Sequence, residues 1–228
     1  MNMPLTRPIP LLKEGDRLTR EEFERRYHAM PYLKKAELID GVVYMPSPVK
    51  YDQHGQPHLD LATWIGNFRA FTPGIGAADN TTVRLDFNTE PQPDAVLFIL
   101  NGGQVRLVDG YITLAPELAA EVSASTVGLD LGAKFEAYRR NGVREYIVWR
   151  VLDNDIDWFI LRGDQYERLA ADDAGVFRSE VFPGLWLDKK AMLSGDLVRV
   201  HDILQQGLHS TEHQAFAQEL QQRLAHDR

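Results

Sequence analysis

Six successive apolar residues, Ala95-Val96-Leu97-Phe98-Ile99-Leu100, follow a proline-punctuated entry at Pro91 and Pro93. A run of that length and character reads as a continuous apolar strand. Leu118 to Ser123, Tyr146 to Trp149 and Ile156 to Leu161 are further runs of strand length, the last two joined at Asp153-Asn154. Between the second and third lies Gly128 to Arg140, which reads as one helix closed by Asn141-Gly142. Helices precede, interrupt and follow this one set of strands. The fold class expected is therefore mixed α/β, of the α+β kind, with a central mixed sheet flanked by helices.

The flanking segments fit that plan. Thr19-Arg20-Glu21-Glu22 is a capping-box pattern, and Phe23, Tyr27 and Met30 follow at helical spacing before Pro31. Glu37 to Met45 reads as a hairpin turning at Asp40-Gly41. Leu61, Trp64, Ile65 and Phe68 recur at helical period between about Asp52 and Phe71. Thr81, Val83, Leu85 and Phe87 alternate with polar residues as in a half-buried strand, and Asn101 to Gly110 reads as a loop. Ser210 to Arg228 is expected to form a C-terminal helix with Phe216, Leu220 and Leu224 on one stripe. The domain plan is an extension over residues 1–18, one domain over 19–195 and a helical tail over 196–228. The stripe can dock on its own domain or on a second copy, and a homodimer is expected.

Composition narrows the chemistry. The 228 residues contain no cysteine, which excludes disulfide scaffolds, thiolate zinc sites and cysteine nucleophiles. No apolar run approaches the ~20 residues of a membrane span, and the opening residues lack the apolar core of a signal peptide. A soluble cytoplasmic protein with no membrane partner is expected. The net charge of −8 argues against holding nucleic acid through a global field, yet is compatible with a small acidic metal site.

Three polar residues stand where burial is expected. Asp94 sits at the mouth of the apolar strand, where a turn aspartate is an equally ordinary reading. Glu121 interrupts the small and apolar run Leu118 to Ser123. A carboxylate there is costly unless it is paired, bound to a cation or turned to solvent at the strand end. Lys134 shares a helical stripe with Leu131, Phe135 and Tyr138. It either snorkels at the stripe's margin, pairs with Asp130 four residues earlier, or serves a site. Two carboxylates at adjoining strand ends with a lysine from the covering helix form a plausible metal-and-water site. Glu37 opens the first hairpin and His54 lies near the start of the second helix. A zinc pair at His54 and His58 is disfavoured, because Gly55 and Pro57 interrupt it and no glutamate of the zinc-protease pattern is present.

Pro93-Asp94, Glu121 before a serine-containing segment, and Lys134 with Tyr138 four residues on resemble the PD-(D/E)XK nuclease superfamily. More narrowly, the chain is similar to the Uma-type restriction-endonuclease family. The resemblance extends to Glu37-Leu38-Ile39-Asp40-Gly41, to Met45-Pro46-Ser47-Pro48 with His54, to the 130–138 helix and to Gly142 to Tyr146, and spans about Thr19 to Leu187. It departs from the superfamily pattern where Ser123 stands at the place of the lysine two residues after the glutamate. The resemblance implies a restriction-endonuclease-like core and a Mg²⁺-dependent endonuclease acting on DNA, with Mn²⁺ as a substitute. Asp94, Glu121 and the Val122 carbonyl would ligate the metal, and Lys134 would position the attacking water. Glu37 would bind a second metal or sit in its outer shell, and His54 would assist from the cleft rim. Alanine at Asp94, Glu121 or Lys134 should then abolish cleavage and leave the fold intact. The acidic charge and sparse Lys/Arg runs favour the alternative, a catalytically inactive nuclease-fold binding or assembly module. A carboxylate hydrolase such as a glycosidase ranks last, since it leaves Lys134 without a role.

Overall fold

The computed structural model describes residues 8–45 and 48–226. Pro46 and Ser47 of the expected turn, and residues 1–7 of the N-terminal extension, lie outside the described residues. Along the chain run α1 (Arg20–His28), β1 (Glu37–Ile39), β2 (Val42–Tyr44), a π-helical turn (Tyr51–Gly55), α2 (Gln56–Phe71), β3 (Ile75–Asp79), β4 (Val83–Arg84) and β5 (Ala95–Ile99). Next come β6 (Arg106–Val108), β7 (Tyr111–Thr113), β8 (Leu118–Ser123), α3 (Val127–Asp130), α4 (Ala133–Asn141), β9 (Glu145–Arg150) and β10 (Asp155–Arg162). The chain ends with β11 (Gln165–Arg168), β12 (Val176–Arg178), β13 (Trp186–Asp188), α5 (Lys189–Ser194), α6 (Leu197–Leu208) and α7 (Thr211–His226).

Six strands form the central sheet in the order β11-β10-β9-β8-β5-β3. Only β8 and β9 run parallel, because α3 and α4 carry the chain back between them; the other neighbours are antiparallel. The sheet is mixed and helices flank it, as the strand runs imply. Alternation along β5 and β8 separates two cores. Ala95, Leu97 and Ile99 with Leu118, Ala120 and Val122 face one cluster, which includes Leu61, Trp64 and Phe68 of α2 and Leu204 and Leu220 of α6 and α7. Val96, Phe98 and Ala119 face the other, with Tyr138 of α4 and Val143, Tyr146 and Val148. The C-terminal stripe packs on its own domain: Leu220 is buried, and the Phe216 ring lies 6.4 Å from Phe182.

Local chemistry accounts for the hairpin and the first helix. Asp40 and Gly41 both take left-handed φ, 51° and 75°, as a two-residue type I′ turn requires. The Thr19 hydroxyl accepts from the Glu22 amide at 3.4 Å. Only this half of the capping box forms, because the Glu22 carboxylate turns to Arg25 and Arg26.

Four segments differ from the sequence expectation. The alternating run at 81–87 yields only the two residues of β4, since Asp86 caps a tight turn through the Asn88 amide and leaves Phe87 85% exposed. The expected loop after Asn101 contains the β6–β7 hairpin. Its turn, Asp109-Gly110 with φ 52° and 82°, uses the same Asp-Gly chemistry as the first hairpin. The 52–71 helix opens with the π-helical turn. The 128–140 helix is two helices broken at Leu131-Gly132, where a Cβ on Gly132 would lie 2.4 Å from the Gly128 carbonyl oxygen. Gly132→Ala should therefore lower stability, although alanine is favoured over glycine by about 1 kcal/mol within a helix. A denaturant midpoint at or above the wild-type value would show that the break is not needed.

Candidate active site

Sheet register sets the two carboxylates side by side. β5 and β8 pair as Ala95↔Ala120, Val96↔Ala119 and Leu97↔Leu118. Extending that register by one pair places Asp94 opposite Glu121. Asp94 shares the face of Val96, and Glu121 that of Ala119, so both point toward α4. Each is 3% exposed. Beyond the paired end of β5, the Asp94 side chain takes over the ladder: its Oδ2 accepts from the Val122 amide at 2.8 Å. In an extended strand a residue's N–H and C=O point to the same side, so the Val122 carbonyl also faces Asp94.

α4 supplies the cation. Lys134 is fully buried, with Nζ 2.9 Å from Glu37 Oε1, 3.0 Å from Glu121 Oε1 and 3.5 Å from Asp130 Oδ1. Tyr138, one turn on, donates to the same Glu121 oxygen at 2.9 Å. Glu37 arrives through the β1–β2 hairpin, which is pinned where Leu38 and Glu90 exchange backbone hydrogen bonds. Its Oε1 also accepts from the Gln92 amide at 2.7 Å. Ser123 follows Glu121 on the same face and donates to Asp130 Oδ2 at 2.6 Å. Ser123 thus orients the acid that pairs with Lys134.

Asp94 is covered by two further residues. His54 Nε2, from the π-helical turn before α2, lies 3.3 Å from Oδ2, and Lys35 Nζ lies 3.7 Å from Oδ1. His58 contacts the Asp94 backbone carbonyl at 3.0 Å rather than its carboxylate. Asp94, Glu121, Lys134, Glu37 and His54 therefore converge, with Val122 beside them. Lys35 and Gln92 join this set without having stood out in the sequence, and Asp130 joins as the pairing partner of Lys134 that the sequence offered. Asp130 had a signal, its i, i+4 spacing to Lys134. Lys35 and Gln92 had none, since only the hairpin's docking brings them in.

The electrostatics are lopsided. Burial pushes the Glu121 carboxyl up, against the pull of Lys134, and the charges of Asp130, Asp94 and Glu37 push it the same way, to about 8. Burial likewise opposes the charge on Lys134, but the surrounding carboxylates outweigh it and hold the ammonium well above its ordinary value. For Asp94, burial is overcome by the His54 hydrogen bond, the Lys35 and His54 charges and the Val122 amide, which hold it at about 2. Among the described residues, no three His, Asp or Glu side chains form a ready-made cation cage. Two carboxylates and a carbonyl do face one another, however. Asp94 Oδ1 is buried without a hydrogen-bond partner in the described structure.

Arg139 and Arg140 are engaged with acids of their own chain. Arg139 pairs with Glu136, and Arg140 with Asp40 and Asp86. Among the described residues no helix is long and apolar enough to cross a membrane.

A family model described as "Uma2: Putative restriction endonuclease" matches residues 20–190, most of the chain. The chain belongs to the Uma2 family. A comparison with curated proteins gave no match. Among solved structures, the chain resembles the crystal structure of a putative nuclease belonging to DUF820 from Anabaena variabilis. The two share 14% identity with a TM-score of 0.58, over 75% of this chain and 96% of that one. At that identity the likeness speaks for the fold. Within the Uma2 chain, the matched span contains Glu37, His54, Asp94, Glu121 and Lys134, and stops short of α6 and α7.

Proposed function

We propose that this chain is a Mg²⁺-dependent endonuclease of the PD-(D/E)XK type that hydrolyses DNA phosphodiester bonds, with Mn²⁺ able to substitute. The observation that carries this reading is the pairing of Asp94 with Glu121 at adjoining strand ends, with Lys134 Nζ 3.0 Å from Glu121. The donors suit a hard divalent cation: two carboxylates and the Val122 carbonyl are all oxygen, and Mg²⁺ keeps waters in its remaining positions. Asp94 Oδ1, which has no hydrogen bond and only the Lys35 ammonium at 3.7 Å, and the excess of carboxylates over ammonium groups support the same reading. When bound, the ion supplies Lewis-acid polarisation of a phosphoryl oxygen and offsets its developing charge.

The chain's own groups do the rest. Lys134 presents N–H donors beside Glu121, where they can orient a water for in-line attack and stabilise negative charge on phosphorus. Glu37 and Tyr138 fix the positions of Lys134 and Glu121, and His54 stands at the rim beside Asp94. An inactive binding module draws support from Arg139 and Arg140 being spent on internal ion pairs.

Cation uptake separates the two. A Glu121 carboxyl raised to about 8 holds a proton near pH 7 in the cation-free chain, and a ligated carboxylate must release it. Calorimetry with Mg²⁺ or Mn²⁺ at pH 7, in buffers of different ionisation enthalpy, should show one class of site that releases close to one proton. No uptake of either cation by the native chain would leave the binding-module reading standing alone.

A further inference from the structure

Two residues apart on the chain that enters the first hairpin, Lys35 and Glu37 both reach the site. Glu37 Oε1 meets Lys134 at 2.9 Å, and Lys35 Nζ stands 3.7 Å from Asp94 Oδ1. Docking of the hairpin therefore delivers a second ammonium group as well as an acid. The two lysines have different surroundings. The Lys134 side chain is 4% exposed and lies within 3.5 Å of three carboxylates. The Lys35 side chain is 25% exposed, and among the described residues its one hydrogen bond goes to Asn80 Oδ1 at 3.4 Å. At 3.7 Å its ion pair with Asp94 is too long to be a hydrogen bond. An ammonium group has three donors, so Lys35 keeps donors that its own chain does not use.

Asn80 holds Lys35 at the mouth of the site. The Asn80 backbone amide donates to the Asp94 carbonyl at 3.3 Å, and its φ of 44° is a left-handed turn conformation that asparagine tolerates. The anchor of Lys35 is thus fixed to the backbone of the residue whose carboxylate Lys35 faces. A lysine stem is long and flexible. The ammonium can therefore turn from Asp94 to an anion at the mouth without any movement of the backbone.

Charge gives such an anion a reason to meet it. Glu37, Asp94, Glu121 and Asp130 outnumber Lys134 and Lys35. A phosphate approaching that set is repelled unless a cationic group receives it at the entrance. Of these two ammonium groups, Lys35 alone combines exposure with unused donors. The neighbouring segments extend the surface outward. Tyr32 and Lys34 are exposed beside Lys35, and Lys50 and Tyr51, with Asp52, are exposed on the turn that carries His54. Lysines interleaved with aromatic rings suit an extended nucleic-acid strand better than a lone phosphate ion.

We propose that Lys35 binds a non-bridging phosphate oxygen of the DNA strand beside Asp94 and so holds the strand at the entrance to the site. The identity of the ligand rests on the nuclease reading, and the contact itself is tested without cleavage.

The test is the salt dependence of binding. The full chain is titrated into a short fluorescent duplex at several KCl concentrations and followed by anisotropy. Each phosphate contact to B-DNA contributes about 0.9 to the slope of log K against log salt, whatever the sequence. Two settings offset the charge that competes for Lys35: Asp94→Asn in chelator, and the native chain in Ca²⁺, a hard cation for the same oxygens. In both, adding Lys35→Met or Lys35→Gln should lower the slope by about 0.9, equally for two unrelated duplexes. Lys35→Arg should retain it, since a guanidinium also binds phosphate. Arg144→Met removes an exposed cation at the end of β9 away from Glu121 and should leave the slope unchanged. No change of slope when Lys35 is replaced in Asp94→Asn would overturn the proposal. An equal drop in Arg144→Met, or no binding of the duplex at all, would do the same. A drop in Asp94→Asn with none in the native chain would uphold the Lys35 contact and count against the cation site, and so against the nuclease reading alone.

Discussion

Asp94→Asn is expected to eliminate cation uptake and DNA cleavage while the chain stays folded. The substitution keeps an oxygen that accepts from the Val122 amide, so the strand end remains closed. It removes one of the two negative charges facing the proposed cation. Loss of a direct ligand should cost more than the about 10–100-fold that removing a supporting outer-shell group costs. Nicking of supercoiled DNA in Mg²⁺, read alongside the thermal midpoint, checks both halves. Asp94→Ala is the poorer test, since it also strands a buried amide, at about 1–3 kcal/mol. Cleavage by Asp94→Asn at the wild-type rate would end the mechanism.

Lys134→Met should abolish cleavage and also destabilise the protein, by about 3–5 kcal/mol, the range for removing one partner of a buried charge cluster. This expectation departs from the sequence expectation that variants at all three residues leave the fold intact, because Lys134 is buried among acids. Lys134 is not at the margin of its helix face; it is the ammonium among Glu37, Glu121 and Asp130. The defect should depend on pH with a definite sign. Removing Lys134 takes away the charge that lowers the Glu121 carboxyl, so in the folded variant that group rises further above its ordinary value. Between about pH 5 and 8 the folded variant then binds more protons than its unfolded chain, and its stability falls as pH rises. Wild type shares that slope up to the pKa of about 8 of its own Glu121, so urea unfolding should show a larger deficit relative to wild type at about pH 9.5 than at about pH 7. A pH-independent deficit would mean that the lysine matters only for packing.

Much of this could be read from the chain without coordinates. The apolar runs of β5 and β8 mark central strands because no solvent-facing period appears in them, and a carboxylate inside such a run has few ways to be tolerated. The Asp40-Gly41 turn was legible because its backbone conformation is set locally. Asp109-Gly110 carries the same signal, but the weaker strands around it read as loop. The break at Gly132 was not legible, since its cause is contact with the Gly128 carbonyl rather than poor helix propensity in the segment. α6 was legible only as part of the 196–228 helical tail and not as a separate helix, since its amphipathic face has meaning only against α2 and β13.

By itself, the sequence determined which residues to single out: Asp94, Glu121 and Lys134 are polar where burial is expected, and burying a charge is expensive enough to make such placements informative. What it could not determine was their partners. Tertiary structure alone brought Glu37 to Lys134 through the hairpin's docking, placed Lys35 and His54 over Asp94, and spent Arg139 and Arg140 on internal acids. The physical reason is range. Propensity and periodicity act over a few residues, whereas a charge or hydrogen bond is assigned by whatever the folded chain brings within about 3 Å.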